Sequence, residues 1–459
     1  MILNFIDRKE ELELLNEKYR MRGFDFIVIY GRRRIGKTEL IKQFIKDKPH
    51  IYFLCDKGGT KRNIFRFKKK IAEFLNEPVL ATEDLEEIFE YLTRKIDKKL
   101  IIVFDEFSYL VEKDAAVPSL FQVIVDEILN KKNIMLVLCG SSISMMEKGV
   151  LSYKSPLYGR KTAHIKLSQI SFKYHKDFFP QHNTHKNIEV YSVVGGIPFY
   201  LEKFSGKKSL TENIKEQILG KKGGLYDEVY FLLREELREP DVYKAILEAI
   251  ASGSTKVVEI ANKSKIKVQD IDKYLKVLIS LGIIKKENPI TEKKSKKTIY
   301  TVDDNFFNFY FKFVEPYKSD IEVGELSNVE KKLRDDLNKY IGSNFEKLIR
   351  EEIIRKLNIF QIQRVGRWWG HYREKDERKE AEIDIVALNE DTREILFCEC
   401  KWQKNVNAEK ILSDIKRKAC FVNWKSKRGY YAIFAKSFSK RTKEAFCFDI
   451  EDIEKIMMK

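Results

Sequence analysis

Five short apolar runs alternate with helical patterns over the first 170 residues of the chain. The runs are continuously apolar and do not alternate with polar residues, which is typical of strands buried on both faces. Such strands belong to a parallel sheet with helices on both sides, and we therefore predict an α/β domain at 1–170. The runs are 24–30, 50–54, 100–104, 134–138 and 163–167.

The pattern changes after residue 170. Residues 171–238 have mostly helical spacing, interrupted at 195–200 by the sequence GGIPFY, whose glycines and proline favour a sharp turn. We predict a helical lid or connector for this segment. Residues 239–315 then show three short helical patterns followed by two strand patterns, which is the outline of a winged helix-turn-helix.

The third helix of this winged helix-turn-helix has an apolar stripe. Ile271 is followed by apolar residues at i+4, i+7 and i+8, so these positions are predicted to form one buried face. The three are Leu275, Leu278 and Ile279. The positions expected to be more exposed are Lys267, Gln269, Asp270, Lys273 and Lys276.

The last part of the chain, 316–459, is predicted to be a second α/β domain. Its expected elements are a helix at 343–357, strands near 381–388 and 393–401, a helix around 407–420 and a strand at 428–435. At 364–373 three arginines and a histidine interleave with two tryptophans and a tyrosine. We predict a loop there, whose aromatic rings cover the core or stack on nucleic-acid bases.

Composition favours a multidomain cytoplasmic protein. A chain of 459 residues with 43% apolar residues can bury three or four cores, and no run approaches the roughly 20 apolar residues of a membrane span. The first residues mix acidic and basic side chains, so no export signal and no membrane partner are expected. The six cysteines form no CxxC pair, which predicts reduced thiols and no zinc site.

The formal net charge of +17 is compatible with two interpretations. A positive field attracts polyanions and favours nucleic acid as a partner. A lysine-rich surface with abundant glutamate also suits an organism that lives at high temperature. Charge alone therefore does not decide between these interpretations.

The segment GRRRIGKTEL follows the first strand and precedes a helix, the setting of a phosphate-binding P loop. Backbone N–H groups and the helix N-terminus hold phosphate oxygens, Lys37 reaches the outer phosphates, and Thr38 is a ligand of Mg²⁺. ATP and Mg²⁺ are the predicted cofactors. The predicted nucleotide-binding residues here are Gly31, Arg32, Arg33, Arg34, Ile35, Gly36, Lys37, Thr38 and Glu39.

The run LIIVFDEF adds the groups that hydrolysis requires. Asp105 ends a buried strand, where it can hold the magnesium shell, and Glu106 can deprotonate the attacking water. After the next buried strand, Ser141 or Ser142 is a candidate sensor of the γ-phosphate, and either can instead begin a turn. Arg160 is a candidate for stabilising transition-state charge, in cis or from a neighbouring subunit, or a surface arginine.

Taken in order, FIDRKEEL, GRRRIGKTEL, VFDEF, LCGSS, PLYGR and GGIPFYL resemble the archaeal ATPase family, an AAA-related branch of the P-loop NTPases. The resemblance covers residues 1 to about 235. It implies a three-layer sheet with an extra strand between the two nucleotide motifs, and a helical lid. It also implies that Phe5, Ile6 and Arg8 lie beside the adenine.

A second constellation lies in the segment EIDIVALNEDTREILFCECKW. Asp384 is on the first strand of a predicted hairpin and Glu399 on the second, with Lys401 two positions further on the same face. Two carboxylates and a lysine are the parts of a magnesium-dependent nuclease site. The oxygens suit a hard cation, and the lysine steadies developing negative charge.

This hairpin resembles the PD-(D/E)-X-K nuclease superfamily, with Asp384 as the motif aspartate and Glu399 and Lys401 as the later pair. The resemblance implies a further acidic metal ligand on the preceding helix, where Glu346 is the candidate. Ser343 and Glu346 alternatively form a capping box, which would explain Glu346 without a metal. Ile383 replaces the usual proline, and such domains can lose cleavage and persist as binding modules.

The wing at 285–297 carries six lysines against two glutamates. Such a loop can contact DNA phosphates without reading sequence, or be solvated in a domain that merely connects others. The predicted DNA-binding residues are Lys293, Lys294, Lys296 and Lys297.

The sequence as a whole predicts an ATPase acting on DNA with a nuclease-like C-terminal domain, and a homo-oligomer is a candidate arrangement. One alternative is a nucleotide-dependent regulatory switch with a non-cutting C-terminal binding domain. Another is a DNA-binding ATPase that remodels or positions DNA without hydrolysing it.

Overall fold

The computed structural model describes residues 5–292, 295, 297–374 and 377–458. The chain divides into two compact units, Met1–Ile170 and Ser171–Lys459. The three domains predicted at 171–238, 239–315 and 316–459 therefore all fall within the second unit. Among the described residues, none of the helices combines the length and apolarity that crossing a membrane requires.

The first unit contains a five-stranded parallel sheet, which confirms the predicted parallel arrangement. Its strands are β1 (Asp25–Tyr30), β2 (His50–Leu54), β3 (Leu100–Asp105), β4 (Ile134–Gly140) and β5 (Ala163–Lys166). Their spatial order is β2-β3-β4-β1-β5. Strand β4 thus lies between β1, which leads into the P loop, and β3, which ends at Asp105.

Helices cover both faces of this sheet because successive residues of each strand are buried on opposite sides. Val28 and Phe104 belong to one apolar core, whereas Ile27 and Val103 belong to another. The helices are α1 (Lys9–Arg20), α2 (Lys37–Ile45), α3 (Thr60–Leu75), α4 (Leu85–Arg94), α5 (Ser108–Lys113), α6 (Val117–Val123) and α7 (Ile143–Met146). The last two continue as the π-helical turns Ile124–Leu129 and Glu147–Leu151.

The second unit begins with short helices. These are α8 (His175–Phe178), α9 (Thr184–Val194), α10 (Pro198–Lys203), α11 (Leu210–Ile214) and α12 (Glu228–Glu236), with a 3₁₀ turn at Phe172–Tyr174 and a π-helical turn at Lys215–Leu219. The turn predicted at 195–200 lies between α9 and α10: Gly195 has φ 63° and Pro198 is the first residue of α10. Ile188 and Tyr191 of α9 share a core with Ile341 further along the same unit.

Three helices and a two-stranded ribbon follow, in the predicted order. They are α13 (Pro240–Ala251), α14 (Val257–Ser264), α15 (Val268–Ser280), β6 (Ile284–Glu287) and β7 (Ile299–Val302), the last two antiparallel. The prediction for Ile279 was wrong, because its side chain is 36% exposed, whereas Ile271, Leu275 and Leu278 are buried. At i+8 a residue is rotated about 80° from Ile271, out of the buried stripe.

The remaining helices of the second unit accompany a five-stranded mixed sheet. They are α16 (Asn305–Phe309), α17 (Lys318–Val323), α18 (Ser327–Leu348), α19 (Ala408–Ala419) and α20 (Ile450–Met458), with π-helical turns at Tyr310–Val314 and Ile349–Ile353 and 3₁₀ turns at Glu315–Tyr317 and Ile354–Lys356. The strands are β8 (Arg364–Glu374), β9 (Glu377–Asn389), β10 (Glu394–Lys401), β11 (Val406–Asn407), β12 (Arg428–Ala435), β13 (Phe438–Lys440) and β14 (Phe446–Phe448).

The large sheet has the order β14-β12-β10-β9-β8, and β11 pairs separately with β13. Strands β8, β9 and β10 are antiparallel neighbours, whereas β10, β12 and β14 are parallel.

Two predictions for this part of the chain were wrong. The segment 364–373 is a strand and not a loop, because it pairs along β9, and the helix predicted to start at residue 343 begins at Ser327.

A β-bulge interrupts the pairing of β8 with β9. Gly366 pairs with Val386 and Trp368 with Ile383, so the two residues Asp384 and Ile385 stand opposite Arg367 alone. A bulge turns the strand and re-aims the side chains next to it, and bulges are frequent beside functional sites.

Candidate functional site

The P loop connects β1 to α2 and needs glycine at two positions. Gly31 has φ 149°, and a Cβ there would lie 2.5 Å from the carbonyl oxygen of Leu167. Gly36 has φ 90° and is the N-cap of α2, a left-handed position that glycine adopts without strain. The loop therefore leads directly into a helix N-terminus, which attracts phosphate.

Lys37 is the first residue of α2, and its side chain is buried. Its Nζ donates hydrogen bonds to the carbonyl oxygens of Gly31, at 2.9 Å, and Arg32, at 3.0 Å. The ammonium group is thus held inside the loop that it is predicted to serve, within reach of any phosphate bound by the loop.

Arg8 is buried beside the same loop. Its guanidinium donates to the carbonyl oxygens of Ser168, at 2.6 Å, and Ile35, at 3.3 Å, and pairs with Glu11. The arginine therefore ties the N-terminal segment to the P loop. Phe5 and Ile6 are half-buried, and Phe5 packs against the core of the sheet.

Thr38 and Asp105 are in direct contact. The Thr38 hydroxyl donates to Oδ2 of Asp105 at 2.9 Å. Tyr52, in the middle of β2, donates to the same oxygen at 2.6 Å. Burial and this hydrogen bond raise the pKa of the Tyr52 phenol. Sequence reasoning missed Tyr52, which only the pairing of β2 with β3 brings to Asp105.

Glu106 follows Asp105 in a left-handed conformation, φ 55°, which is unfavourable for a glutamate. Its Oε2 accepts hydrogen bonds from the hydroxyl of Ser141, at 2.6 Å, and from the Ser141 N–H, at 3.2 Å. The structure thus brings Ser141 to Glu106, whereas the hydroxyl of Ser142 contacts that of Ser144 at 3.4 Å.

Arg160 is held by Asp126. Its Nε and Nη2 each donate to the carboxylate at 2.7 Å, and Nη1 donates to the carbonyl of Pro156 at 2.8 Å. These bonds raise the pKa of the guanidinium. The role predicted for Arg160 would require it to leave Asp126.

Two further side chains of the predicted nucleotide-binding segment, Arg33 and Glu39, contact residues outside the P loop. Arg33 donates to the hydroxyl of Tyr109 at 2.8 Å, and Glu39 pairs with Lys42 at 3.2 Å. Arg34 has φ 72°, so the loop turns at this position through a strained backbone.

The second predicted site lies where β9 and β10 stop pairing. The last pair of the ladder is Ile385 with Cys398. Beyond it, Oδ2 of Asp384 accepts a hydrogen bond from the N–H of Cys400 at 2.8 Å. The Asp384 carboxylate thus occupies the gap between the diverging strands.

Glu399 is buried on β10 and is held by two lysines. Its Oε1 accepts from Lys401, at 2.8 Å, and from Lys418 of α19, at 3.2 Å. Burial opposes the charged form of Lys401, but the hydrogen bond to Glu399 and the negative charges of the nearby carboxylates together outweigh it and raise the pKa of the lysine.

Glu346 of α18 belongs to the same electrostatic neighbourhood. Burial, followed by the negative charge of Asp384, raises the pKa of Glu346, and burial with the charge of Glu399 raises that of Asp384. Ser343 lies within α18 and not at its start, so the capping-box alternative for Glu346 is wrong. We call Glu346, Asp384, Glu399 and Lys401 the acidic site.

Arg367 and Lys418 border the acidic site and were missed from the sequence. Arg367 forms an ion pair with Glu382 of β9 and a second, at 3.7 Å, with Glu287 of β6. In the ranges that the structure describes, no three His, Cys, Asp or Glu side chains are arranged to hold a metal ion. With its oxygens on two lysines, Glu399 is turned away from such a role.

The wing is only partly within the described residues. Lys293, Lys294 and Lys296 lie outside them. Lys297 pairs with Glu292 at 2.6 Å, and its side chain is 43% exposed. Ile290 packs into the core beneath β8 and donates its N–H to the carbonyl of Arg367 at 2.9 Å, so the wing is attached to the C-terminal sheet.

The parallel sheet, the P loop with Lys37, and the Thr38–Asp105 and Ser141–Glu106 contacts define the first unit as a P-loop ATPase. Residues 5–204 match the profile of an ATPase domain predominantly from Archaea. Residues 310–411 match a second profile, of archaeal and bacterial proteins of unknown function.

The chain is 41% identical over 458 residues to an uncharacterised protein of Methanocaldococcus jannaschii, covering 98% of this chain and 99% of that protein. It belongs to the same family as this archaeal protein. An uncharacterised ATP-binding protein of the same organism is 24% identical over 269 residues, covering 47% of this chain and 74% of that protein.

The structure of a Walker-type ATPase of Pyrococcus abyssi is similar to this chain with a TM-score of 0.51 and 21% identity. The match covers 67% of this chain and 96% of that one. The likeness shows the fold. The chain is thus an ATP-binding P-loop ATPase of the archaeal type, as its resemblance implied.

Proposed function

We propose that this ATPase is Mg²⁺-dependent, that it acts on DNA, and that its C-terminal sheet is a nuclease-like domain. The observation that carries the proposal is the acidic site, in which Asp384 and Glu399 flank the gap between β9 and β10 with Lys401 beside them. The order helix, three antiparallel strands, helix, parallel strand supports the resemblance to the nuclease superfamily.

In the ATPase unit, each candidate residue has a separate proposed role that follows from its position. Lys37 binds the outer phosphates, and Thr38 with Asp105 supplies the oxygens that fit Mg²⁺. Bound magnesium would neutralise phosphate charge there. Glu106 accepts a proton from the attacking water, and Ser141 fixes its carboxylate. Arg8 with Phe5 and Ile6 is proposed for the adenine, and Arg160 for a transition-state contact, either in its own chain or in the site of a neighbouring copy.

The proposed DNA contacts lie on α15 and the wing, which we interpret as a winged helix-turn-helix. Lys273 and Lys276 are exposed on the face of α15 opposite its buried stripe, and Lys267 is exposed at the N-cap of the helix. On the wing, the Lys297 side chain is 43% exposed and pairs with Glu292. Such lysines neutralise phosphates, so they support binding without base recognition.

The acidic site has the right donor types for a hard cation, because Asp384, Glu399 and Glu346 all offer carboxylate oxygens. These three residues would hold the metal, which would polarise the phosphate, and Lys401 would steady the developing charge. The geometry described above differs from such a site: no three such side chains of the described residues are arranged around one metal position, and Glu399 must first release Lys401 and Lys418.

That feature favours a second candidate function, a nucleotide-dependent regulatory switch whose C-terminal domain binds without cutting. A buried carboxylate neutralised by two lysines is stable without a metal. The two candidates differ in whether the acidic site performs chemistry, and agree in the role of the ATPase unit.

The test combines ATP hydrolysis, with and without DNA, and cleavage of single-stranded, duplex and branched DNA in Mg²⁺ or Mn²⁺. DNA-stimulated hydrolysis with metal-dependent cleavage is the expected result. DNA stimulation without cleavage would favour the switch. Hydrolysis unaffected by any DNA, together with no DNA binding, would contradict the proposed action on DNA.

A further inference from the structure

The half of β8 that follows the bulge presents two different faces. Trp368 is buried in the core, and Tyr372 stacks on Phe421 with ring centroids 4.1 Å apart and planes 15° apart. Side chains alternate along a strand, so Arg367, Trp369 and His371 share the opposite face. We call these three residues the β8 strip.

The β8 strip is half-exposed and partly fixed in place. The indole N–H of Trp369 donates to the carbonyl oxygen of Lys297 at 3.2 Å, and the guanidinium of Arg367 lies 6.0 Å from the centre of the Trp369 ring. The side chain of His371 is 35% exposed, and its Nδ1 lies 3.4 Å from Oε1 of Glu380. Trp369 therefore stands between a cation and the backbone of the wing.

The strip connects the wing to the acidic site. Its first residue, Arg367, stands opposite the bulge that carries Asp384, and its middle residue contacts Lys297 of the wing. A strand of nucleic acid that passes along the strip would therefore reach the segment of β9 that carries Asp384.

We propose that the β8 strip is a stacking platform for single-stranded DNA, with Trp369 as the residue on which a base stacks. This inference rests on the proposed function of the acidic site and names its substrate class as an unpaired strand. Base faces are free to stack on an aromatic ring only when the strand is not paired.

The charges beside the strip determine which part of the nucleic acid faces it. Trp369 pairs in register with Glu382 and His371 with Glu380, so two carboxylates lie along the strip. They repel phosphates, which leaves the bases to face Trp369. Lys297 lies next to the ring through its backbone carbonyl, and its 43% exposed side chain can exchange Glu292 for a phosphate of a neighbouring nucleotide.

The experiment measures the affinity of the full chain for a labelled single-stranded oligonucleotide and for the same sequence as a duplex, by fluorescence anisotropy. Trp369→Ala is expected to lower single-strand affinity roughly 5- to 100-fold, the range for losing one stacked base, with less effect on duplex affinity. Trp369→Phe restores a stacking ring and should recover most of the loss. Trp424→Ala removes another half-buried tryptophan of the same unit and should leave both affinities unchanged.

A second readout separates stacking from a structural role. Single-stranded DNA is expected to quench the intrinsic tryptophan fluorescence of the wild type, and the Trp369→Phe variant should lose this quenching while keeping its affinity. Equal single-strand affinities of the wild type and Trp369→Ala would overturn the platform, as would equal losses for single strand and duplex. A wild type that binds neither DNA form would instead overturn the proposed function, and the platform with it.

Discussion

The hydroxyl of Ser141 lies 2.6 Å from Oε2 of Glu106, and the Ser141 N–H donates to the same oxygen at 3.2 Å. Two donors from the end of β4 thus fix the carboxylate proposed as the catalytic base, which stands on a strained backbone after β3. The neighbouring serine, Ser142, makes no such contact in the part of the chain described, because its hydroxyl turns to Ser144.

Ser141→Ala should therefore slow ATP hydrolysis, whereas Ser142→Ala should not. Removing a hydrogen bond to a charged group costs about 1.5–3 kcal/mol, which corresponds to a kcat lower by roughly 10- to 100-fold. The nucleotide affinity should change little. Steady-state hydrolysis and nucleotide titrations of both variants check this, and equal rates for the two would exclude a special role of Ser141.

Lys37→Ala and Glu106→Gln should separate binding from hydrolysis. Lys37 contacts phosphate in the ground state, so its removal should weaken ATP binding roughly 10- to 100-fold. Glu106 acts on the water in the transition state, so Glu106→Gln should keep ATP affinity and lower kcat. Hydrolysis by Glu106→Gln at the wild-type rate would show that another group is the base.

Asp384→Asn and Lys401→Ala should both abolish metal-dependent cleavage but differ in metal binding. Asp384→Asn removes a proposed ligand and should weaken Mn²⁺ binding in calorimetric titrations. Lys401→Ala should leave Mn²⁺ affinity in place and keep the fold, because Lys418 still neutralises the buried Glu399. Cleavage by Asp384→Asn at the wild-type level would remove the nuclease assignment.

The matched melting curves are part of this test. If Asp384 and Lys401 served only to stabilise the sheet, both variants would lower the melting temperature. The ATPase rate would then show whether the first unit is still folded. If the acidic site is catalytic, both variants should keep the wild-type melting temperature and lose cleavage.

Replacing Lys293, Lys294, Lys296 and Lys297 with Gln should weaken DNA binding to a similar degree for all sequences. Each lost phosphate contact should flatten the slope of log affinity against log salt by about 0.9 on duplex DNA. The ATPase rate without DNA should not change. A variant with Gln at Lys61, Lys69, Lys70 and Lys131 carries the same charge change elsewhere. Equal effects of both sets would indicate that net charge, not the wing, attracts DNA.

His175 should make the second unit less stable in acid. Its ring is fully buried between Phe172 and Tyr191, and burial lowers its pKa to about 3. An unfolded histidine titrates near 6.5, so between pH 6.5 and pH 3 the unfolded chain binds the extra proton. This contribution to stability is complete above about pH 6.5 and is lost as the pH falls, by up to about 1.4 kcal/mol per pH unit.

The variant His175→Leu removes this titration and should flatten the acid side of the stability curve. Denaturant unfolding at several pH values below 6.5 measures the slope for the wild type and the variant. Equal slopes would mean that the buried ring does not remain neutral in the folded state.

The sequence predicted the ATPase sheet well because its strands are buried on both faces, so that apolarity alone locates them. The P loop and Asp105 follow from local spacing at strand ends. The strand β8 was not predicted, since Gly366, Gly370 and polar residues hide its period, and it forms by pairing along β9. Tyr52 and Lys418 reach their carboxylates from other elements, and no local pattern indicates such contacts.

The acidic site was predicted in its residues but not in its arrangement. The hairpin and its spacing follow from the alternation of apolar residues around Asp384 and Glu399. The bulge at Asp384 depends on the register with β8, and the pairing of Glu399 with two lysines depends on the packing of α19. Both are properties of neighbours distant in sequence.

The attachment of Ile290 to the carbonyl of Arg367 has a consequence for solubility. Strand β8 is the outermost strand of its sheet, and its free carbonyls would otherwise be a template for pairing with a strand of another molecule. The wing root occupies this edge, and the proline at position 289 has no N–H with which to extend a ladder. A wing detached from β8 would leave the sheet open to intermolecular pairing, so shortening or loosening this loop would favour aggregation at high protein concentration.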